Sequence, residues 1–100
     1  MTKIEINKRG RHYSIEAINH AETSSVCAAV SALLCTLDCA LRNNRQAKLI
    51  TIQRGSGYYV IASECNGKTA REDWRVITMG LLQIEQTHPD EIKVTQNIFS

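Results

Sequence analysis

The sequence lacks most of the features that would narrow its function at a glance. Its net charge is only +2 over 100 residues, too little for the clustered basic face that phosphate binding requires, so no direct nucleic-acid binding is expected. The nearest approach, Lys8-Arg9-Gly10-Arg11, is read as a solvated hairpin turn. No apolar run is read as approaching the roughly 18 residues of a membrane span, so no membrane association is expected. Met1 leads straight into an alternating strand with no apolar leader before it, which makes the cytoplasm the expected compartment. Thiols stay reduced there, so the four cysteines, Cys27, Cys35, Cys39 and Cys65, are not read as a disulfide framework. No CxxC or HxxxH spacing completes a four-ligand set, so no metal and no other cofactor is expected, and Cys35 and Cys39 are read as small hydrophobes.

What remains is an ordinary globular balance. Hydrophobic residues make up 43% of the chain and charged residues 22%, enough for a modest core in one domain spanning residues 1–100. Ile4 and Ile6 alternate with Lys3, Glu5 and Asn7, the period of a strand with one covered face, over about 2–8. Tyr13, Ile15 and Ala17 resume the alternation after the Gly10 turn and predict a second strand over about 12–19. Val26, Val30, Leu33, Leu34, Leu37 and Leu41 recur at helical spacing, one stripe facing a sheet. The other face of that helix, with Ala28, Ala32, Cys35 and Cys39, is small and uncharged. It is read as contacting the second helix, with a homodimer partner as the alternative.

Arg42-Asn43-Asn44-Arg45-Gln46 ends the helix. Leu49, Ile50 and Ile52 form a third strand, Arg54-Gly55-Ser56-Gly57 a hairpin, and Tyr58 to Ala62 a fourth strand. Tyr58 and Tyr59 fall on opposite faces, so at least one should be exposed or at a rim. Thr69-Ala70-Arg71-Glu72 fits a capping box for a second helix. Its buried stripe is Ala70, Trp74, Ile77, Leu81 and Ile84, with Trp74 a core anchor, and Gly80 permits close helix packing against the alanine-rich face of the first helix. Pro89, the single proline, stops it. Ile92 and Val94 open a last strand, with Gln96 to Ser100 fraying. The order ββαββαβ predicts an α+β fold: a two-layer sandwich of one mostly antiparallel five-stranded sheet carrying two helices.

Chemistry concentrates in Asn19 to Leu34. His20 leaves the end of a strand, six residues separate it from Cys27, and Cys27 stands in the first turn of an apolar helix for which Ser24 or Ser25 is a natural N-cap. A thiol acts as a nucleophile through its thiolate, which a helix N-terminus and a nearby imidazole both favour. Backbone N–H groups at the same helix mouth, those of Cys27 and Ala28, suit an oxyanion. At 100° per residue Cys27 lies about 70° from the stripe's centre, at the edge of the core. Glu22, Ser24 and Ser25 are candidates to orient the imidazole. His12 and His88 are read as solvated.

His20-Ala21 followed by Val-Cys-Ala-Ala-Val-Ser-Ala over Val26 to Ala32 resembles the ribosomal-processing cysteine protease family Prp of bacteria and phages. The resemblance implies a hydrolase of the thiol protease class with a Cys-His dyad, Cys27 as nucleophile and His20 as general base. It implies as substrate the N-terminal segment of a ribosomal protein precursor or of a phage capsid or scaffold protein, and the same two-layer fold. Three features depart from the family pattern: Asn19 where glycine precedes the histidine, a shorter loop without glycine, and Ser24-Ser25 in place of an acidic residue. The alternative is a catalytically inactive binding or assembly module on the same fold.

Overall fold

The computed structural model describes residues 1–19 and 24–99, with backbone alone at Ser24 and Phe99. The elements run β1 (Thr2–Arg9), β2 (His12–Ile18), α1 (Ser24–Arg42), β3 (Ala47–Gly55), β4 (Tyr58–Cys65), α2 (Lys68–Thr87) and β5 (Ile92–Phe99), the expected ββαββαβ order. All five strands join one sheet in the order β3-β4-β2-β1-β5. The β1–β2, β2–β4 and β3–β4 pairs are antiparallel, but β1 and β5 run parallel. The sheet is therefore mixed, which corrects the mostly antiparallel expectation at one edge. The reason is the crossover: β5 follows a helix that returns the chain to its starting end, and a strand reached in that way lies parallel to β1.

Alternation sets the two faces of the sheet. Thr2, Ile4 and Ile6 of β1, Tyr13, Ile15 and Ala17 of β2, and Tyr59, Ile61, Ser63 and Cys65 of β4 are buried under the helices, whereas Lys3, Glu5 and Glu16 are exposed. Onto that face α1 lays Val26, Val30, Leu34, Leu37 and Leu41, and α2 lays Ala70, Trp74, Ile77 and Leu81. Fully burying each aliphatic side chain stabilises the fold by about 1.5–3 kcal/mol. Trp74 donates its indole N–H to Ser63 Oγ at 2.9 Å, and its ring lies 5.7 Å from the Tyr13 ring, tilted by 44°. In β3 the register slips between Leu49 and Thr51, leaving Ile50 half exposed. The bulge lets Leu49 and Ile52, three residues apart, both pack on the core.

Several expectations are corrected. By length and composition the Ser25–Arg42 segment of α1, with mean hydropathy 1.6, is long and apolar enough to cross a membrane, although no such run was expected. Its alanines and cysteines raise that value, while its stripe of large side chains is taken up by the sheet. The small-residue face does not meet α2: Ala28, Ala32 and Cys39 are exposed. The helices meet instead where Leu33 packs over Gly80, and a Cβ there would lie 3.0 Å from Leu33 Cδ1. Gly80 permits a close approach, as expected, but to a leucine rather than to the alanines.

The capping box does not form. Gly67 precedes the first turn of α2, and Thr69 gives both its N–H and its hydroxyl to Gln46 Oε1, at 2.9 and 2.8 Å, while Glu72 pairs with Arg75. The cap of α2 is thus supplied from the segment before β3. Nor does the last strand fray at Gln96: Gln96 to Phe99 pair with Ile6 to Arg9.

On the α1 side of β4, Tyr59 is buried and its hydroxyl donates towards Asp38 Oδ2 at 3.5 Å and Cys35 Sγ at 3.9 Å. Burial first, and then the hydrogen bond to Cys35, push its phenol up from 10.0 to about 12, against the opposing Arg54 guanidinium over its ring. Folding thus favours the neutral phenol, and this contribution is complete below pH 10 and lost as pH climbs towards 12. Urea midpoints should fall across that window, and Tyr59→Phe should flatten the fall. Gln46→Ala should cost about 1 kcal/mol in urea denaturation through loss of the α2 cap.

Candidate active site

The site predicted from sequence lies where β2 hands the chain to α1. β2 ends at Ile18, and Asn19 follows in the left-handed region at φ 55°, the only non-glycine residue with positive φ among those described. Glycine enters that region freely, and asparagine is among the few other residues that tolerate it. Asn19 stands at the position where the Prp pattern has glycine, in a backbone conformation that both residues can adopt. His20 and Glu22 lie outside the described residues, as does the side chain of Ser24.

α1 opens at Ser24, so Ser25 falls within the first turn and is not its N-cap. Cys27 is the fourth helical residue and is half-buried, beside the buried Val26, as its place at the flank of the stripe predicts. Ala28, four residues after Ser24, returns its N–H to the helix. Ser25 is exposed.

The other cysteines have different surroundings. Cys65 is fully buried, its thiol pushed up chiefly by burial, and lies 3.8 Å from Ser63 Oγ. Cys35 is half-buried against Tyr59, eight residues or about 12 Å along the helix from Cys27. Cys39 is exposed, which corrects its reading as a packed hydrophobe, and meets the Asn43 side chain at 3.6 Å. No disulfide joins the described cysteines. Among the described residues no group of three His, Cys, Asp or Glu side chains is placed to hold a metal ion.

His12 stands exposed at the far end of β2 from Asn19, and His88 caps the C-terminus of α2 with Nδ1 3.4 Å from Glu91 Oε2. Of the two adjacent tyrosines, Tyr59 is buried and Tyr58 is 42% exposed. Tyr58 pairs across the sheet with Ile18, itself 36% exposed. This apolar pair next to Asn19 was legible only as an alternation, because nothing local announces that β2 and β4 are neighbours.

The backbone at Asn19 has a measurable consequence. Asn19→Gly should leave urea stability within a few tenths of a kcal/mol of the parent, whereas Asn19→Val should cost about 1–2 kcal/mol, because a β-branched side chain resists a positive φ.

The family model of the cysteine protease Prp matches residues 1–93 of this chain, from β1 into the start of β5. Among solved structures, the essential ribosomal processing protease Prp from S. aureus with a covalently linked product peptide superposes with a TM-score of 0.84 at 20% identity, over 97% of this chain and 100% of that one. The same S. aureus protease with a substrate peptide gives 0.77 at 17% identity, over 97% and 100%. A Streptococcus mutans protein gives 0.79 at 18% identity, over 99% and 96%. At such identities these likenesses concern the fold. No curated protein sequence matches significantly. On the match of its sequence to the family model, the chain belongs to the cysteine protease Prp family.

Proposed function

We propose that this chain is a cysteine endopeptidase whose nucleophile is Cys27 and whose general base is His20, and that it removes an N-terminal segment from a ribosomal protein precursor or a phage capsid or scaffold protein. The observation that carries this reading is the half-buried Cys27 at the mouth of α1, inside the residues matched to a cysteine protease family. The S. aureus relative has been solved with a substrate peptide and with a covalently linked product peptide, which supports a peptide as substrate for this fold. The cytoplasm, where both a thiol and such precursors reside, is the compartment this reading implies.

The chemistry is acyl transfer. His20 takes the proton of the Cys27 thiol, and the sulfur attacks the peptide carbonyl carbon. The carbonyl oxygen gains negative charge and is held by backbone amides at the α1 mouth, assigned to Cys27 and Ala28. The carbon–nitrogen bond breaks, His20 returns its proton to the departing amine, and water then hydrolyses the thioester, restoring the thiol. Glu22, Ser24 or Ser25 orients the imidazole. No metal or cofactor takes part.

The exposed Ala28, Ala32 and Cys39 on α1 favour a homodimer as the working form, to be checked by sizing the protein in solution. Incubation with a ribosomal precursor followed by mass spectrometry tests the main proposal. Cys27→Ala should lower cleavage by more than about a thousandfold, while Cys35→Ala should retain it. Undiminished cleavage by Cys27→Ala would remove the nucleophile, and no cleavage by the parent chain would leave a binding or assembly module.

A further inference from the structure

At the end of the sheet remote from Cys27, between α2 and β5, lies a groove of about 420 Å³. Ile6, Tyr13 and Trp74 form its floor, and Met79 and Ile98 stand at its mouth, 56% and 73% exposed. Large apolar side chains so open to water beside a concave surface mark a contact site. The rim carries charge of one prevailing sign. Lys8, Arg71 and Arg75 line it with Glu72 alone opposing them, and Glu72 is engaged by Arg75 at 2.8 Å. Lys8 lies over the Tyr13 ring, 5.0 Å from its centroid. Among the described residues neither Lys8 nor Arg71 has a carboxylate within salt-bridge distance.

The backbone beside the groove is also unfinished. β5 is an edge strand with β1 on one side only. The N–H of Val94 is given to the Glu85 carboxylate at 2.6 Å, so it points away from β1. Gln96 and Ile98 are in phase with Val94, and their amides and carbonyls point the same way. Glu85 thus blunts the outer edge at Val94 and leaves it open two and four residues later, where the groove begins.

We propose that this edge and groove dock an extended acidic peptide, which adds a strand to β5 at Gln96 and Ile98, seats a bulky apolar side chain over Trp74 and Met79, and sets its carboxylates against Lys8 and Arg71. Main-chain bonds to a free edge supply affinity in this mode, and alternate side chains supply specificity. Two unmatched cations at the rim select the sign of the partner's charge. The site is separate from the catalytic proposal and is tested without turnover.

The test is an NMR titration of the 15N-labelled Cys27→Ala chain with acetyl-EFELE-amide and, separately, acetyl-KFKLK-amide. The acidic peptide should shift the amides of Gln96, Ile98 and Met79 and should bind about tenfold more tightly than the basic one. In Lys8→Glu/Arg71→Glu its affinity should fall about tenfold and the preference should reverse. Shifts centred instead on Ile18, Tyr58 and residue 27, equal binding of the two peptides by the parent groove, or no shift along β5 at millimolar peptide would each overturn the proposal.

Discussion

The apolar seam between α1 and the sheet is the contact on which the rest of this molecule depends. Val26, Val30, Leu34, Leu37 and Leu41 are almost fully buried where α1 lies over β3 and β4, and together they fix both the rotation of the helix and its height over the strands. Cys27 follows Val26 directly, so the packing of Val26 carries it to the edge of the core. Leu33 carries the same seam across to Gly80 and holds α2 at close range. The interior of a protein is dense enough that a shift of one methylene is felt, and a side chain anchored one residue from the core inherits that precision.

The broad architecture was legible because it rests on periodicity within single segments. Val26 to Leu41 repeats every three or four residues, and Ile4 with Ile6 every second residue, which fixed element type and inward face without knowledge of neighbours. What escaped the reading depends on partners distant in sequence. Thr69 and Glu72 fit a local cap motif, yet Gln46, more than twenty residues earlier, reaches Thr69. Gln96 to Phe99 show no alternating pattern strong enough to announce a strand, and they are held by pairing with β1, about ninety residues away. Leu49, Ile50 and Ile52 announced a strand without saying which of them faces inward; a bulge between Leu49 and Thr51 leaves Ile50 half exposed.

The candidate site divides in the same way. The half-buried setting of Cys27 followed from its angle on the helix, whereas the sealed Cys65 did not, because the fourth strand was expected to end at Ala62 and runs on to Cys65. The role of Asn19 did not follow, because a departure from a family's glycine reads as a loss until the backbone angle is known. Once φ is positive, asparagine and glycine become two answers to one geometric demand. The fold shared with relatives at 17–20% identity makes the same point at larger scale: cores accept many side-chain exchanges if volume and pattern are kept.

The parallel pairing of β5 with β1 bears on how the chain comes together. β1 and its partner β5 lie about ninety residues apart, so β1 stands with one ladder of amides and carbonyls exposed until β5 has been made. Closing that ladder brings together the most widely separated contacts in the molecule, the kind that slows folding and leaves nascent chains open to aberrant association. β1 carries Lys3, Glu5, Lys8 and Arg9, and such charges discourage stray strands from adding before the proper one arrives.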